Sequence, residues 1–444
     1  MGFFERFLAK NQALVIPFFP NLLMMRFLLI LALQMQAAII SYFVYRLTYD
    51  PLLHKGNPVV LGMIGLWEVI PAVGFSLFSG HFVDISEKKK LSMLFITGYL
   101  VLSVFFAGIV YCGNYHIIPV NAIIWLVYGG IFVGGIIRSF LSPASFSLLG
   151  LILPKHLYAN GSTWSSASWQ IGAVLGPLLG GFMIALAGFE AAMICCSIVL
   201  IGSFNSISRI PKQAVHLSEK EPMLRSMGRG LKFVFGSQII KSIMMLDMFA
   251  VLFGGAVALL PVYADDILNV GEIGFGWLRA SSSIGSVIAM VGMSFLPVRK
   301  NPGLKMYACF IAFGLATVVF GYCGVLGSHD LLFNFMGLRL SYAFLLGFVM
   351  LLLIGVFDAI NIVIRHTILQ MNTPDNMRGR VAAVNTIFIS SSNELGAMES
   401  GLTAKWMGTV PAVAFGGYIA VLVVFISWFA APELRTYQLH EKHD

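Results

Sequence analysis

Stretches of about twenty consecutive apolar residues recur along almost the whole length of this chain of 444 residues. A helix of that length crosses the roughly 30 Å hydrocarbon core of a bilayer at 1.5 Å per residue. Only 11% of the residues are charged, against roughly 25% in an average soluble domain, and 58% are hydrophobic. One water-soluble core could not bury so much apolar surface, so most of the chain is expected to lie in lipid.

The apolar segments have the pattern of helices. A membrane β-barrel would show short segments of alternating polarity, whereas residues 123–133 and 344–356 are continuously apolar. The sequence therefore predicts an all-α membrane protein with twelve transmembrane helices in two six-helix bundles around a central cavity. The predicted spans are residues 21–46, 58–79, 91–110, 121–141, 158–186, 191–205, 240–262, 274–296, 304–325, 341–363, 381–405 and 412–429.

The longest polar stretch lies in the middle of the chain and carries a run of lysines and arginines. It divides the sequence into an N-terminal bundle (1–205), a cytoplasmic linker (206–239) and a C-terminal bundle (240–444). Most of the 28 basic residues fall on the same side of the membrane as this linker and both termini. The positive-inside rule then places both termini in the cytoplasm. The first apolar run is too long for the core of a signal peptide, so we expect it to remain as the first span.

The net charge of +8 follows from this topology and does not indicate nucleic-acid binding. The five cysteines lie in or beside apolar segments without the spacing of metal ligands or of a disulfide framework, so we assign them to packing. We predict that the chain needs neither a cofactor nor a metal. Its predicted partners are a small-molecule substrate, protons and the lipid bilayer, and it is predicted to act as a monomer.

Ionisable residues inside the spans are the most informative feature, because each costs roughly 2.5–3.5 kcal/mol at the bilayer centre. The third, sixth, ninth and twelfth spans have no internal charge apart from Lys305 at the start of the ninth. We interpret these four as facing lipid and the others as lining a polar interior. The candidate proton-coupling or cavity residues are Arg26, Glu68, Arg138, Asp247, Arg279, Asp358, Glu394 and Glu399.

These residues differ in their predicted depth in the membrane. Glu68 and Glu394 lie near the predicted midplane, where a carboxylate has no interfacial water and tends to exchange protons. Asp247, Asp358, Arg26 and Arg138 lie nearer the cytoplasmic ends, where pairing or snorkelling is easier. Asp358, Asn361 and Arg365 are spaced i, i+3, i+7 and share one helix face. The alternative for each charge is a buried ion pair that fixes helix packing.

After the second span the chain reads Gly80-His81-Phe82-Val83-Asp84, followed by Lys88, Lys89 and Lys90. This resembles the loop signature of the major facilitator superfamily, although Ile85 and Glu87 replace a basic residue and a glycine. Glycine allows close helix approach, aspartate can cap or pair, and lysines anchor a loop at the cytoplasmic surface. We expect a gating loop here, and a tight basic turn is the alternative.

The fifth span contains Gly172, Gly176, Pro177, Gly180 and Gly181. This run resembles the motif of the exporting, antiport branch of the same superfamily. Small residues four apart permit close helix contact, and the proline removes a backbone hydrogen bond. A packing and hinge motif without directional meaning is the alternative.

Three further blocks are residues 259–264, residues 378–381 and residues 393–401, which include Asn393-Glu394-Leu395-Gly396. They resemble the group of this superfamily that contains the enterobactin exporter and related efflux proteins. The resemblance implies proton-driven export of siderophores or amphipathic drugs. It also implies that the second and eleventh spans meet, which would bring Glu68 near Glu394.

We therefore expect a secondary active transporter that works by alternating access in a bacterial inner membrane. Import or lipid translocation by the same fold is the main alternative, in which Arg26 and Arg138 would contact anions. The sequence contains no HExxH, no DDxxD and no Cys/His grouping, which argues against an enzyme. A channel would not explain four charge-free helices spread through both halves. Metal export by this fold would need histidines grouped with carboxylates, and the nine histidines are scattered.

Overall fold

The computed structural model describes residues 12–50, 56–212, 223–295, 301–328, 330–335, 338–374 and 377–438. These residues are almost entirely helical, as the length and apolarity of the segments predict. The long helices are α1 (Phe19–Leu47), α2 (Pro58–Ile85), α3 (Lys88–Asn114), α4 (Val120–Ile152), α5 (Tyr158–Ser208), α6 (Met223–Gly236), α7 (Gln238–Gly254), α8 (Gly271–Phe295), α9 (Pro302–Gly321), α10 (Tyr342–Asn372), α11 (Arg378–Met407) and α12 (Thr409–Ala430). Strands β1 (Leu331–Phe335) and β2 (Leu338–Ser341) form an antiparallel hairpin between α9 and α10.

Among the described residues, nine helices are long and apolar enough to cross a membrane. Helix α5 counts as one of these nine helices, but its backbone is not helical at Gly188, where φ is +82° and ψ is 176°. That backbone conformation favours glycine, and it separates the predicted fifth span from the sixth. Helices α8 and α11 match predicted spans but carry more polar residues, and the total of twelve spans stays a prediction.

Two helices differ in detail from the predicted spans that they contain. Helix α2 continues to Ile85 instead of ending at Ser79, so Gly80 to Asp84 belong to its last turns and the connection to α3 is only two residues long. The predicted seventh span is not one helix. It breaks at Gly255 and continues as a 3₁₀ turn (Ala256–Leu259), a short helix (Leu260–Val262) and a π-helical turn (Tyr263–Ile267). The hydroxyl of Ser400 donates to the carbonyl oxygen of Gly255 at 2.8 Å, which satisfies a group freed by the break.

Part of the segment predicted as a solvated linker is helical. Helix α6 places Val234 in the apolar core around α7 and α11, where the side chain is fully buried. The rings of Phe235 and Phe388 of α11 lie 6.4 Å apart. At Gly230, an added Cβ would lie 3.1 Å from the Cβ of Arg380. The composition of this segment is polar, but apolar residues on one face of a helix are enough to dock it.

Backbone contacts divide the chain into two compact units. The first comprises Met1–Phe43 and Ile70–Lys220, and the second comprises Val44–Val69 and Glu221–Asp444. The second unit thus includes the end of α1 and the start of α2. The six-plus-six division at residues 205 and 240 stays a prediction.

The first unit is held together by small residues and hydroxyl groups. Helices α1 and α5 approach closely, and Ser203 of α5 donates to the carbonyl oxygen of Met25 at 2.9 Å. Tyr99 of α3 donates to the carbonyl oxygen of Gly134 of α4 at 3.0 Å. Polar contacts of this kind connect helices that lack charged neighbours.

The second unit uses the same principle. Helices α8 and α10 pack so closely that a Cβ at Gly285 would overlap the carbonyl group of Leu352. Ser286 donates to the carbonyl oxygen of Gly355 at 3.1 Å. Helices α9 and α12 meet at Gly314 and Gly417, where an added Cβ at Gly417 would lie 2.7 Å from the carbonyl oxygen of Gly314. Glycine at these positions is required by the distance between the backbones.

Candidate functional site

Three of the predicted charged residues come together in the second unit. Arg279 of α8 interacts electrostatically with Glu68 of α2 and with Glu394 of α11. All three side chains are half-buried. Two ionised carboxylates and one guanidinium together carry a net charge of −1. A role of this group in proton coupling stays a prediction.

The backbone explains why α2 and α11 lie together. A Cβ at Gly65 would overlap the carbonyl oxygen of Glu394, and one at Gly62 would lie 2.7 Å from the carbonyl oxygen of Ala397. A Cβ at Gly401 would lie 2.8 Å from the Cα of Gly62. These glycines let the two backbones touch. Glu68 lies about one turn after Gly65 on α2, so Glu68 and Glu394 lie on the same pair of touching helices.

Asp247 forms an ion pair with Arg365, which joins α7 to α10. The two side chains are only 5% and 2% exposed. Within the described part of the chain, Asp247 Oδ1, Arg365 Nε and both amide atoms of Asn361 are buried without a hydrogen-bond partner. Arg365 therefore completes a polar group inside an apolar core that contains Ile243, Met244 and Ile364 among others.

The other predicted residues do not join this cluster. Glu399 of α11 accepts a hydrogen bond from the hydroxyl of Thr403 at 2.8 Å. Asp358 lies half-buried on α10, one turn before Asn361. In the first unit, Arg26 on α1 is half-buried and Arg138 on α4 is exposed. A role for these four residues in transport stays a prediction.

The glycines of the predicted antiport motif lie against α1. A Cβ at Gly176 would lie 2.6 Å from the Cβ of Gln34 and 2.9 Å from the carbonyl oxygen of Leu31. One at Gly172 would lie 3.0 Å from Ile30, and one at Gly180 would lie 3.3 Å from the carbonyl oxygen of Met35. Pro177 lies inside the helix between them, and Gly181 is buried. This is a close helix contact, and a link between the motif and the direction of transport stays a prediction.

The predicted gating motif lies where α2 ends and α3 begins. The side chain of Asp84 lies outside the described residues, so the contact expected of Asp84 stays a prediction. Lys88 donates to the carbonyl oxygen of Ser86 at 3.0 Å, and Lys89 donates to that of Ser208 at 2.9 Å. Lys90 pairs with Glu87 at 3.2 Å. Two of the three lysines thus bind backbone carbonyls at helix ends, which is a favourable position for a cation.

Sequence reasoning missed several charged residues that the fold brings together. The sequence places Arg365 on one helix face with Asp358 and Asn361, and no motif singles out Arg46 or Glu272. Arg46 pairs with Glu272 at 2.6 Å although the two residues are 226 positions apart. The only signal in the sequence is that Asp265, Asp266 and Glu272 lie on the predicted side of the membrane that carries few basic residues.

The sequence model of the Major Facilitator Superfamily matches residues 22–397. The chain belongs to this superfamily. Its members are transporters and not enzymes, and the protein is accordingly an integral membrane protein. No three His, Cys, Asp or Glu side chains among the described residues are grouped so that they could hold a metal ion.

Two named members of the superfamily match the chain at low identity. The chain is 22% identical over 410 residues to the multidrug efflux pump Tap of Mycolicibacterium fortuitum. That match covers 88% of this chain and 91% of the pump. It is 24% identical over 273 residues to the enterobactin exporter EntS of Shigella boydii. That match covers 61% of this chain and 60% of the exporter, so it extends over less than two thirds of the exporter's length.

Solved structures of other transporters show the same fold. A bacterial homologue of the iron transporter ferroportin in the inward-facing state matches with a TM-score of 0.70 and 13% identity, over 95% of this chain and 99% of that one. The D-xylose-proton symporter matches with a TM-score of 0.69 and 12% identity, over the same shares of the two chains. At these identities the structures establish the fold and leave the substrate open.

Proposed function

We propose that this superfamily transporter exports a siderophore or another amphipathic small molecule from the cytoplasm in exchange for protons. The group formed by Glu68, Arg279 and Glu394 is the observation that carries the coupling. It places two carboxylates and one cation on three predicted spans, and charges within spans are retained where they are used. One proton per cycle changes the charge of the group from −1 to 0.

The relatives support export and the class of substrate. A multidrug efflux pump matches nearly the whole chain, and an enterobactin exporter matches three fifths of it. Glycine-rich contact between α1 and α5 agrees with the antiport motif that the sequence resembles. In this proposal the half-buried Arg26 and the exposed Arg138 of the first unit contact anionic parts of the substrate.

The proton gradient supplies enough free energy to drive the proposed export. One proton that moves through roughly 100 mV releases about 2.3 kcal/mol, which sustains about a fiftyfold gradient of a neutral solute. The proposal places twelve spans in the bacterial inner membrane with both termini in the cytoplasm, and it has the protein act as a monomer. In that orientation protons enter from outside while the substrate leaves.

Everted membrane vesicles test the coupling directly, because export from the cytoplasm becomes uptake into the vesicle. We expect respiring vesicles to accumulate enterobactin or ethidium, and an uncoupler to abolish the accumulation. Glu394→Gln keeps the volume and polarity of the side chain but cannot release a proton, so it should bind the probe and lose uphill transport. Glu68→Gln should behave in the same way.

The matched control is Glu433→Gln, which removes an exposed carboxylate at the C-terminal end of the second unit. It should leave accumulation at the wild-type level. Undiminished accumulation by Glu394→Gln would reject the coupling role of that residue. Accumulation that survives the uncoupler and requires ATP would reject proton coupling altogether.

A further inference from the structure

Residues 44–69 form the end of α1, the connection to α2 and the start of α2, and they belong to the second unit. The rest of both helices belongs to the first. The contacts of Tyr45, Arg46 and Gly56 with α8 and with the turn before it lie at the face of the membrane opposite the start of α1. They do not involve Glu68, Arg279 or Glu394.

Arg46 makes the most extensive of these contacts. Its guanidinium lies 2.6 Å from Glu272 of α8, and its Nε lies 3.8 Å from Asp265. Next to it, the hydroxyl of Tyr45 donates to Asp266, and the backbone N–H of Gly56 donates to the other oxygen of that carboxylate at 3.4 Å. We call Tyr45, Arg46, Asp265, Asp266 and Glu272 the outer latch.

The acidic residues of the outer latch are held in position by the backbone on which they lie. Asp265 and Asp266 lie on the π-helical turn that follows the break at Gly255, and π-turns often mark functional positions. The hydroxyl of Tyr263, at the start of that turn, donates to the carbonyl oxygen of Gly321 of α9 at 3.0 Å. Asn269 and Gly271 then adopt positive φ values of 54° and 64°, which direct the chain into α8 and to Glu272.

Arg46, the basic residue of the outer latch, can separate from its acidic partners at low energetic cost. The side chain of Arg46 is 51% exposed, and those of Asp265 and Glu272 are 17% and 25% exposed. Ion pairs with that exposure contribute about 0–1 kcal/mol, because water solvates the separated charges well. A cleft of about 590 Å³ gives water access to this region, and it is lined by Tyr45, Arg46, Tyr49, Asp265, Asp266, Asn269 and Gly271. Such a contact can close a face of the protein without holding it shut permanently.

We propose that Arg46 is a positioning residue of the transport cycle, which keeps the end of α1 and the start of α2 attached to α8 and α11 while the outer face is closed. The inference rests on the proposed transport by alternating access. Outward opening then requires Arg46 to leave Glu272 and Asp265, Tyr45 to leave Asp266, and the glycines of α2 to leave α11. The outer latch controls access and does not itself bind substrate or protons.

Charge exchange tests this assignment. In a variant whose five native cysteines are replaced by alanine, Ala397→Cys places a thiol on α11 opposite Gly65, where α2 covers it. A membrane-impermeant maleimide is applied from the outside of intact cells, and the rate of labelling is measured. We expect Arg46→Glu to raise that rate severalfold, because three carboxylates then repel the end of α1. The double variant Arg46→Glu with Glu272→Arg should restore slow labelling.

Lys405→Glu is the matched control. It makes the same charge change at an exposed residue at the end of α11, on the same face of the membrane. It should label like the parent. The thermal midpoint of each purified variant is measured as well, and Arg46→Glu should lower it only slightly because the pairs are exposed.

Unchanged labelling in Arg46→Glu would overturn the proposal, as would fast labelling that the charge exchange fails to reverse. A large fall in the thermal midpoint would show that Arg46 is structural. The assay needs neither substrate nor a proton gradient. A faster labelling rate in a protein whose transport ignores the uncoupler would therefore reject the proposed proton coupling and leave the outer latch standing.

Discussion

At the scale of single residues, Arg279 decides how two acidic side chains coexist inside a membrane protein. Glu68 and Glu394 lie on helices whose backbones touch through glycine, so without a cation their charges would repel at short range. The electrostatic interaction with Arg279 allows both to remain in the same region. The geometry therefore makes the arginine as important as the two glutamates that sequence reasoning favoured.

Arg279→Gln tests this view. We expect it to lower stability by about 1–3 kcal/mol, since two charged groups lose their common partner. Export should fall although both glutamates remain, and Arg279→Lys should recover part of it because the positive charge returns. Thermal unfolding in detergent and vesicle uptake measure the two effects. Arg209→Gln, which removes an exposed arginine after α5, serves as the control. Full export by Arg279→Gln would contradict this role.

At the scale of helices, two kinds of contact hold the bundles: glycine-mediated backbone contact and isolated polar pairs. The pair of Asp247 and Arg365 connects α7 to α10 in an apolar core. Such a pair gains Coulomb energy but loses the hydration of both charges, so its net contribution is small as long as it stays complete. Removal of one partner leaves an uncompensated buried charge.

A double substitution separates these contributions. Asp247→Asn alone should lower the free energy of unfolding by about 3–5 kcal/mol, because Arg365 is then buried without a counter-charge. Asp247→Leu combined with Arg365→Met should recover most of that loss. The thermal midpoints of purified variants give the comparison. If the double variant is as unstable as the single one, the pair contributes more than charge compensation.

The contact between α1 and α5 supports a second prediction for helices. Gly176→Leu introduces a side chain where an added Cβ already lies 2.6 Å from Gln34, and overpacking of this kind costs about 1–3 kcal/mol. The segment stays apolar, so we expect normal membrane insertion and a strong loss of transport. Gly108→Leu in α3 is the control, since nothing lies within 4 Å of a Cβ at Gly108. Wild-type transport by Gly176→Leu would show that the close contact is dispensable.

At the scale of the whole molecule, the distribution of lysine and arginine predicts the orientation in the membrane. Basic residues are concentrated in the connections that share a side with the termini, and the acidic residues of the outer latch lie on the other side. Insertion of short connections follows this bias strongly. The orientation in turn fixes which face of the protein meets the periplasm.

Reporter fusions measure the orientation. Alkaline phosphatase, which is active only outside the cytoplasm, should be active when fused after Ile117 and inactive when fused after Lys212. A fluorescent protein that folds only in the cytoplasm should give the opposite result at both positions. Phosphatase activity at Lys212 would reverse the orientation, and with it the proposed direction of transport.

The sequence alone determined the apolar helices, most of their ends and the residues that are charged inside them. These are properties of contiguous residues, since hydropathy acts along the chain and each span satisfies its own backbone hydrogen bonds. The superfamily was also visible in short motifs for the same reason. Even so, the continuation of α2 to Ile85 and the docking of α6 were not predicted, because the composition of both segments is mixed and neighbouring helices decide whether they stay helical.

Only the tertiary structure decided which charges meet. Nothing in the sequence pairs Asp247 with Arg365, or Arg46 with Glu272, and Glu68 and Glu394 were brought together only by family resemblance. Helices that are apolar on every side carry little information on the rotation or tilt with which they pack. Those two quantities determine which side chains face each other. In this protein they are fixed by glycines such as Gly65 and Gly176, whose effect depends on the backbone of another helix.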